Sequence, residues 1–272
     1  MFKLNLCFSI SLALLFSISF ALKSDNFDIT IDSFIVDGQD AYRGQFPYYT
    51  FLKLNTTDGD AICGGALISN EWILTAAHCL YDTLNGEIHL GSLRANNLTE
   101  DGRIIMKFDM KHGHIHPNYY RSIVWNDIGL IKLPKQIVFS AIIKPVKLAC
   151  ESIETKDAIA MGNGFMNAKQ RIYAPILQWT TLKTISYAKC LRQYPFLLFR
   201  RSVICARGNQ MESTCLGDSG GPLVTDKTHI LMGVTSFGSN DGCNSGAPQG
   251  FTNVQSYFPW INKVTGLPLP SC

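Results

Sequence analysis

The chain has 272 residues and a formal net charge of +3, with 24 Lys and Arg against 21 Asp and Glu. Hydrophobic residues make up 46% of it and charged residues 17%, enough apolar material for a full core in one large β domain or two small ones. So small a net charge gives no argument for nucleic acid or an anionic membrane as a partner.

The N-terminal segment is typical of a secretory signal peptide. Lys3 precedes an apolar run over 4–20, and the small residues Ser19 and Ala21 fit the positions that a signal peptidase reads. A membrane anchor is the alternative, but the run is short for a bilayer span and lacks a stop-transfer flank. We therefore predict a signal peptide at 1–21 and a secreted, extracellular protein.

The number of cysteines is consistent with a secreted protein. Nine are present, and eight remain once Cys7 is removed with the signal peptide, an even number that indicates disulfides in a secreted protein. Asn55 and Asn97 each begin an Asn-X-Thr sequon, so we predict N-glycosylation at surface loops there, although such tripeptides also occur by chance.

Short segments rich in Val, Ile, Thr, Phe and Tyr alternate with turn residues, which predicts an antiparallel β protein, a barrel or a sandwich. Two stretches look helical instead, one from Thr184 towards Tyr194 and one over 256–264. The clearest predicted strands are 48–54, 62–68, 104–108, 128–133 and 230–235.

His78 stands in the first of three motifs that carry chemistry. It follows the small residues Ala76 and Ala77, which leave room for the imidazole, and it precedes Cys79. A disulfide between Cys79 and Cys63 would fix the position of the ring. A metal ligand and an ordinary buried imidazole are the alternative interpretations.

Asp127 begins the second motif, directly before the apolar run 128–133. Burying a carboxylate there is costly unless a partner pairs with it. It is either a turn residue that caps its own backbone, or a buried acceptor that fixes the tautomer of His78 and stabilises the imidazolium. The motif alone does not decide between them.

Ser219 lies at the centre of the third motif, Gly-Asp-Ser-Gly-Gly-Pro over 217–222. A nucleophilic Ser needs an exposed hydroxyl, an adjacent base and backbone N–H donors close to the substrate carbonyl, and glycines favour that approach. The N–H groups of Gly217 and Ser219 would then stabilise an oxyanion.

The same string also satisfies the Gly-X-Ser-X-Gly pattern of α/β-hydrolases. In that class the Ser precedes the acid and the His. Here His78 and Asp127 precede Ser219, only His229 follows it, and no parallel βαβ pattern is present. Chain order therefore disfavours an esterase.

Together the three motifs resemble the trypsin-like serine peptidase family over 35 to about 264. The segments 239–243 and 246–251 are similar to insect and crustacean chymotrypsin-like, collagenolytic (brachyurin-type) members. The resemblance implies an all-β fold of two packed six-stranded antiparallel barrels with a C-terminal helix and the catalytic residues in the cleft between the barrels.

The resemblance also implies a serine endopeptidase that works through an acyl-enzyme. Ser219 attacks the scissile carbonyl, His78 takes the Ser219 proton and gives it to the leaving amine, and Asp127 orients His78. An activation peptide at 22–34 and a protease domain at 35–272 follow from the same comparison.

Ile35 begins a segment similar to the family's activation site. Cleavage before it would free an amine that pairs with Asp218 and orders the oxyanion hole and the pocket. Asp37 stands where the family usually has Gly, and Phe34, rather than Lys or Arg, precedes the cut. Our hypothesis is therefore activation by a chymotrypsin-like enzyme or by self-cleavage.

The resemblance places Ser213 at the base of the primary specificity pocket, where trypsin-like members carry Asp. Ser236, Phe237 and Gly238 match the strand that lines this pocket, and Gln249 stands where a small residue is common, so it could shorten the pocket or add a polar contact. An uncharged residue at the bottom of the pocket predicts cleavage after large apolar or aromatic residues. An elastase-like preference for smaller residues is the alternative.

Nearby, Asp241 is either a solvated loop residue or a group at the pocket mouth that confers mixed specificity.

The disulfides that the resemblance implies leave Cys150 and Cys272, which we expect to pair, with an unpaired or intermolecular thiol as the alternative. Those implied disulfides are Cys63–Cys79, Cys190–Cys205 and Cys215–Cys243.

We predict no metal and no other cofactor. His112, His114 and His116 alternate and could line one face of a strand, but we expect no carboxylate or Cys near them to complete a zinc site. Ser92 stands where calcium-binding members of the family carry Glu.

The expected partners are protein or peptide substrates and protein protease inhibitors, and we expect a monomer that binds neither nucleic acid nor a membrane. A catalytically inactive homologue that acts as a binding protein is the rival interpretation. Asn163 in place of the family's usual Trp, together with Asp37, keeps this interpretation open, and the three complete catalytic motifs disfavour it.

Overall fold

A computed structural model of the protein describes residues 38–148, 157–167, 172–195, 202–209, 212–239 and 241–268. The predicted signal peptide, the activation peptide and Ile35 lie outside these ranges, as do Cys150 and Cys272.

The described chain contains seventeen short strands. In chain order they are β1 (Gln39–Asp40), β2 (Tyr49–Thr56), β3 (Gly59–Leu67), β4 (Trp72–Thr75), β5 (Thr83–Leu90), β6 (Ile104–Asp109), β7 (Gly113–Ile115), β8 (Gly129–Lys132), β9 (Lys147–Leu148), β10 (Asp157–Gly162), β11 (Phe165–Asn167), β12 (Ile172–Tyr173), β13 (Gln178–Ile185), β14 (Val203–Arg207), β15 (Pro222–Thr225), β16 (Ile230–Phe237) and β17 (Gln249–Asn253).

The N-terminal half is a seven-stranded antiparallel sheet that curls into a half-barrel, with neighbours in the order β6-β5-β2-β3-β4-β8-β7. Strands β4 and β8 are short apolar runs whose side chains are almost all buried, and their register pairs Leu74 with Leu130. Both of these leucines are fully buried in a core shared with Leu52 and Ile88 of the neighbouring strands. Packing of the inner face is therefore what holds these short strands together.

The C-terminal half is a closed antiparallel barrel. Strands β13, β10, β15, β16, β17 and β14 pair in that order, and β14 pairs back to β13, which completes the ring. Strand β1 extends this sheet beside β13, and β9 joins β16 in parallel. Closure removes the exposed sheet edges that an open antiparallel sheet would leave.

Helices are few and short in the described chain. The last one begins at Phe258 next to a proline at its N-terminus, buries Phe258 and Ile261, and ends at Gly266, whose φ of +70° forms a left-handed C-cap. The α-helices are α1 (Ala77–Tyr81), α2 (Tyr187–Gln193) and α3 (Phe258–Thr265), and the 3-10 helices are Arg121–Ile123, Cys243–Ser245 and Val254–Tyr257.

The expected chymotrypsin-like, all-β fold with a C-terminal helix is confirmed. Of the two six-stranded barrels expected, the C-terminal one is closed, while the N-terminal unit is a curled half-barrel of seven strands. The two predicted helical stretches correspond to α2 and α3, while α1, which carries His78, was not predicted because five residues are too few to show a helical period. No helix within the described ranges is both long and apolar enough to cross a membrane.

Candidate active site

His78 and Asp127 are held together by two hydrogen bonds. His78 lies in the first turn of α1, and Asp127 lies just before β8. Asp127 Oδ2 is 2.8 Å from His78 Nδ1, and Asp127 Oδ1 accepts from the main-chain N–H of His78 at 2.9 Å. The carboxylate therefore fixes both the ring and its backbone, which leaves Nε2 as the nitrogen available for proton transfer.

Two further donors satisfy Asp127, whose side chain is fully buried. The Ser236 hydroxyl donates to Asp127 Oδ2 at 2.5 Å, and the Thr252 hydroxyl donates to the main-chain carbonyl of Asp127 at 2.7 Å. Both donors come from the C-terminal barrel. The acid thus bridges the two halves of the molecule, and it is the buried acceptor rather than a turn cap.

The pKa of His78 reflects two opposing effects. Burial lowers it, but the charge of Asp127 and the hydrogen bond to that carboxylate together outweigh burial, so the pKa is raised above its usual value of 6.5. The nearby charge of Arg121 acts in the lowering direction. Because the imidazolium is the stabilised form, the site is suited to hold a proton between two transfer steps.

Ser219 is brought to the same place by the packing of the two halves. Its main-chain carbonyl accepts from the N–H of Gly64 at 2.7 Å and lies 3.5 Å from Cys79 Sγ, next to His78 in the chain. Within the described structure the Ser219 hydroxyl makes no hydrogen bond to His78. Such contacts are commonly long in unliganded enzymes and shorten when substrate binds.

The turn that carries Ser219 leaves two donors free. Gly217 has a φ of +96°, a conformation that favours glycine, and the N–H of Asp218 is bonded to the Cys215 carbonyl at 3.0 Å. Neither the Gly217 N–H nor the Ser219 N–H donates to a described acceptor. These are the two donors that the sequence assigned to an oxyanion hole, and both remain available for a substrate oxygen.

Asp218 is completely buried behind this turn. Its Oδ1 accepts from the N–H of Gly164 at 2.7 Å and its Oδ2 from the N–H of Cys215 at 2.8 Å. Burial raises the pKa of Asp218 to about 7, although these two hydrogen bonds lower it. No described cation pairs with the carboxylate, so the charged form is poorly compensated by the residues that the structure describes.

A cavity of about 470 Å³ opens beside Ser219, within the usual size range of ligand pockets. No charged residue is among those that line it in the described chain, and Asp241 instead accepts a hydrogen bond from Ser239 at 3.0 Å on the exposed loop. The lining residues are Thr214, Cys215, Leu216, Ser219, Thr235, Ser236, Phe237, Gly238, Ser239, Gly242, Cys243, Ser245, Ala247 and Gln249.

Four of the five residues expected at the pocket line it, and Ser213 does not. Ser213 is buried, it is not among the lining residues, and its hydroxyl donates to the Cys243 carbonyl at 2.6 Å. The side-chain amide of Gln249 makes three hydrogen bonds of 2.6 Å to Thr214. The polar groups of both side chains are therefore engaged inside the pocket wall.

Phe237 and Gly238 shape the entrance in different ways. The Phe237 ring packs so closely over Gly250 that no Cβ fits there, and it meets the Tyr194 ring edge-on at 5.2 Å. A Cβ built on Gly238 would have only Gln249 Nε2, at 3.9 Å, within 4 Å. The entrance is thus open at Gly238 and closed by an aromatic wall at Phe237.

Three of the four expected disulfides are present in the described chain, and the fourth, Cys150–Cys272, lies outside the described residues. Atoms of Cys63, His78 and Cys79 lie close enough together to hold a metal ion. The two cysteines form a disulfide with each other, however, so their sulfurs are not thiolates that could bind a metal. The three are Cys63–Cys79, Cys190–Cys205 and Cys215–Cys243.

The alternating histidines do not share one site. His112 lies 3.0 Å from Asp109, so the expectation that no carboxylate is near them was wrong, while His114 packs on Trp72 and His116 packs on Trp260. These three form no metal-holding group in the described chain. Asn55 and Asn97, the two sequon asparagines, are both exposed.

Several pocket residues had no sequence signal of their own. Leu216 lines the pocket and is 61% exposed. The sequence could have indicated this only through its position next to Gly217, at the start of the motif that contains Ser219. Ser245 and Ala247 reach the pocket because the disulfide from Cys215 to Cys243 anchors their loop.

Comparisons with known proteins agree with this geometry. Residues 35–261 match the family described as Trypsin. The chain is 36% identical over 241 residues to a collagenase of Hypoderma lineatum, covering 86% of this chain and 88% of that protein, and 32% identical over 234 residues to brachyurin of Leptuca pugilator, covering 86% and 99%. The solved structure of HL collagenase superposes with a TM-score of 0.76 at 34% identity, covering 85% of this chain and 99% of that one.

Proposed function

Because this chain belongs to the trypsin family and is a serine-type endopeptidase, we propose that it is secreted as a precursor, activated by cleavage before Ile35, and cleaves after large apolar or aromatic residues.

In the proposed reaction Ser219 is the nucleophile. His78 removes the hydroxyl proton through Nε2 as the Ser219 oxygen attacks the scissile carbonyl, and Asp127 stabilises the imidazolium through Nδ1. The carbonyl oxygen becomes an oxyanion that the N–H groups of Gly217 and Ser219 bind. His78 then gives the proton to the leaving amine, and a water repeats the sequence to release the acyl group and restore Ser219.

The substrate preference rests on one observation, the uncharged lining of the 470 Å³ cavity beside Ser219. A Lys or Arg side chain buried there would lose its hydration without gaining a carboxylate partner, which is costly. An apolar side chain loses nothing by leaving water and gains contact with Phe237, Leu216 and Ala247. The geometry therefore supports Phe, Tyr, Leu or Met before the scissile bond.

Activation before Ile35 is supported by the buried Asp218. This carboxylate lies directly behind the oxyanion turn and has two backbone donors but no described cation. A new α-amino group at Ile35 would supply the missing positive charge and would lower the raised pKa of Asp218. The three disulfides favour an oxidising compartment, in agreement with the predicted signal peptide.

A mixed peptide library tests the proposal. The protein that begins at Ile35 is incubated with the library beside a Ser219→Ala control, and the cut sites are read by mass spectrometry. Cutting after Phe, Tyr, Leu or Met that is absent from the control is the expected result. Cutting after Lys or Arg would overturn the preference, and no cutting by either form would favour the inactive homologue. N-terminal sequencing of secreted material checks the start at Ile35.

A further inference from the structure

Tyr49 carries a buried polar group that the proposed reaction does not use. Its side chain is 3% exposed at the start of β2, and its hydroxyl is buried without a hydrogen-bond partner among the described residues. A hydroxyl removed from water without a partner costs free energy. A phenylalanine would therefore be more stable at this position unless the hydroxyl acquires a partner in another form of the protein.

The outer end of the Tyr49 ring reaches the turn that carries Ser219. A Cβ built on Gly64 would lie 3.3 Å from Tyr49 Cε2 and 2.7 Å from the Cα of Gly221, so the ring and the turn meet at the same glycine. Gly64 donates its N–H to the Ser219 carbonyl, and Gly221 donates its own to the Asp218 carbonyl at 3.0 Å. The phenol is therefore buried against the same turn as the Asp218 carboxylate.

Asp218 is the charged group of the described chain that acts on this phenol. Burial raises the pKa of Tyr49, the charge of Asp218 raises it further, and the main chain of Asn163 acts in the opposite direction. The two side chains do not hydrogen bond to each other, because the Asp218 oxygens accept from the N–H groups of Gly164 and Cys215. A buried carboxylate and a buried hydroxyl thus lie near each other, and neither has a described cation beside it.

A cation with several N–H donors complements this pair of groups. An α-ammonium group has three such donors, of which a carboxylate can accept one or two and a phenol oxygen can accept another. It would supply the positive charge that Asp218 lacks and give the Tyr49 hydroxyl a partner. Cleavage before Ile35, as proposed above, creates an α-ammonium group.

We propose that Tyr49 is a positioning residue for activation, whose phenol oxygen accepts a hydrogen bond from the α-ammonium group of Ile35 while Asp218 pairs with its charge. This inference rests on the proposed cleavage before Ile35 and adds a second side chain that binds the new N-terminus. Because the hydroxyl gains its partner only after cleavage, it favours the cleaved form over the precursor. It acts on catalysis through Asp218 and the turn that carries Ser219.

The test uses Tyr49→Phe, which keeps the ring and removes the hydroxyl. Tyr48→Phe is the matched control, because the Tyr48 hydroxyl is also buried without a described partner while its ring packs on Phe46. Burial alone raises the pKa of Tyr48, with no contribution from Asp218. Each variant is made in the precursor and in the protein that begins at Ile35, with Ser219→Ala added for thermal denaturation so that no self-cleavage occurs.

We expect Tyr49→Phe to leave the melting temperature of the precursor unchanged or higher, because an unpartnered hydroxyl is removed. In the protein that begins at Ile35 the same change removes a hydrogen bond to a charged group, so the melting temperature should fall by about 3–10 °C. Tyr48→Phe should shift both forms alike. Equal shifts of the two forms by Tyr49→Phe would overturn the proposal, as would a difference between the forms in Tyr48→Phe.

The pH dependence of cleavage gives a readout that a purely structural role would not move. Groups that accept from the ammonium group stabilise its charged form, so removing one of them lowers the pKa of the amine. The loss of kcat/KM at alkaline pH, measured on a short amide, should therefore begin about one pH unit lower in Tyr49→Phe. It should keep its position in Tyr48→Phe. An unmoved alkaline loss in Tyr49→Phe would contradict the role of the hydroxyl.

Asp218→Asn separates this inference from the proposed activation. If Asp218→Asn changes the stability of the two forms differently and Tyr49→Phe does not, the amine pairs with Asp218 alone and only the role of Tyr49 is refuted. If Asp218→Asn has equal effects in both forms, the pairing after cleavage before Ile35 is refuted together with the role of Tyr49. Failure of the wild-type protein that begins at Ile35 to cleave the short amide would instead contradict the peptidase activity itself.

Discussion

The hydroxyl of Ser236 donates to the same Asp127 oxygen that binds His78 Nδ1, at 2.5 Å. Ser236 also lines the cavity beside Ser219, so one residue contacts both the buried carboxylate of Asp127 and the candidate specificity pocket. A single hydrogen bond therefore joins strand β16, which lines this cavity, to the carboxylate that contacts His78.

Replacing Ser236 by Ala should lower both stability and activity. The buried carboxylate of Asp127 loses a donor, and hydrogen bonds to charged groups contribute about 1.5–3 kcal/mol. We expect a loss of that size in the free energy of unfolding, measured by urea denaturation, and a lower kcat on a short amide. The exposed Ser140→Ala serves as the control. An unchanged kcat in Ser236→Ala would show that the bond does not hold the acid in place.

The pH dependence of the reaction should report His78. Because its pKa is raised, kcat/KM should increase as the pH rises through a value above 6.5, where the ring loses its proton and becomes the base. The Asp127→Asn variant lacks the carboxylate charge that raises the pKa of His78, while burial still lowers that pKa. The rise of kcat/KM with pH should therefore occur at lower pH in this variant. Activity should fall by about 10⁴-fold, the loss known for this change in related triads. Measuring kcat/KM from pH 5 to 9 for both proteins checks these expectations. If the rise occurs at the same pH in both, its assignment to His78 is contradicted.

The uncleaved precursor should become less stable as the pH rises. The pKa of Asp218 is about 7 in the folded protein and 3.8 when unfolded, so between these values the folded state binds more protons and its stability falls with pH. Asp218→Asn should remove this dependence and stabilise the precursor at pH 7, by up to about 4 kcal/mol. After cleavage before Ile35 the same variant should instead be destabilised and inactive. Denaturation of both forms with Asp58→Asn as control measures this, and equal effects in the two forms would refute the pairing.

Gly238→Val should change the substrate preference. A Cβ at Gly238 meets nothing closer than Gln249 Nε2 at 3.9 Å, so the protein should fold normally while the isopropyl group narrows the pocket entrance. We expect kcat/KM for Phe or Tyr before the cut to fall by about 100-fold or more, since overlap with a packed wall is not relieved cheaply. Substrates with Ala at that position should be affected far less. Equal losses for both would place the pocket elsewhere.

Arg103→Met should destabilise the loop that the arginine closes. Its side chain is almost fully buried, and it donates to the carbonyls of Arg94 and Asn97 at 2.8 and 2.6 Å beside Glu100. Removing one partner of a buried ion pair costs about 3–5 kcal/mol, to be measured by denaturation beside the exposed Arg207→Met. The Arg103 guanidinium already occupies these carbonyl oxygens, which a bound calcium ion would otherwise need as ligands. Removing calcium with EDTA should therefore leave the melting temperature of the wild-type protein unchanged. A calcium-dependent melting temperature would contradict this account.

The candidate catalytic residues could be proposed from the linear sequence. His78, Asp127 and Ser219 stand in short strings of small or apolar residues whose order alone disfavours an esterase. The uncharged Ser213 led us to predict a pocket with no carboxylate to bind a Lys or Arg side chain. Ser213 does not line the cavity, however, and the absence of charge there comes from the other described lining residues. Such features are local, because they depend on residue type and on the immediate neighbours.

The tertiary structure decided everything that depends on residues far apart in the chain. Ser236 and Asp127 are 109 positions apart, and only the packing of the two halves brings the hydroxyl to the carboxylate. Leu74 meets Leu130 only because strand register sets which side chains are opposite one another. Side-chain direction and register are settled by burial across the whole core, so composition and spacing could indicate the catalytic groups but not which atoms meet.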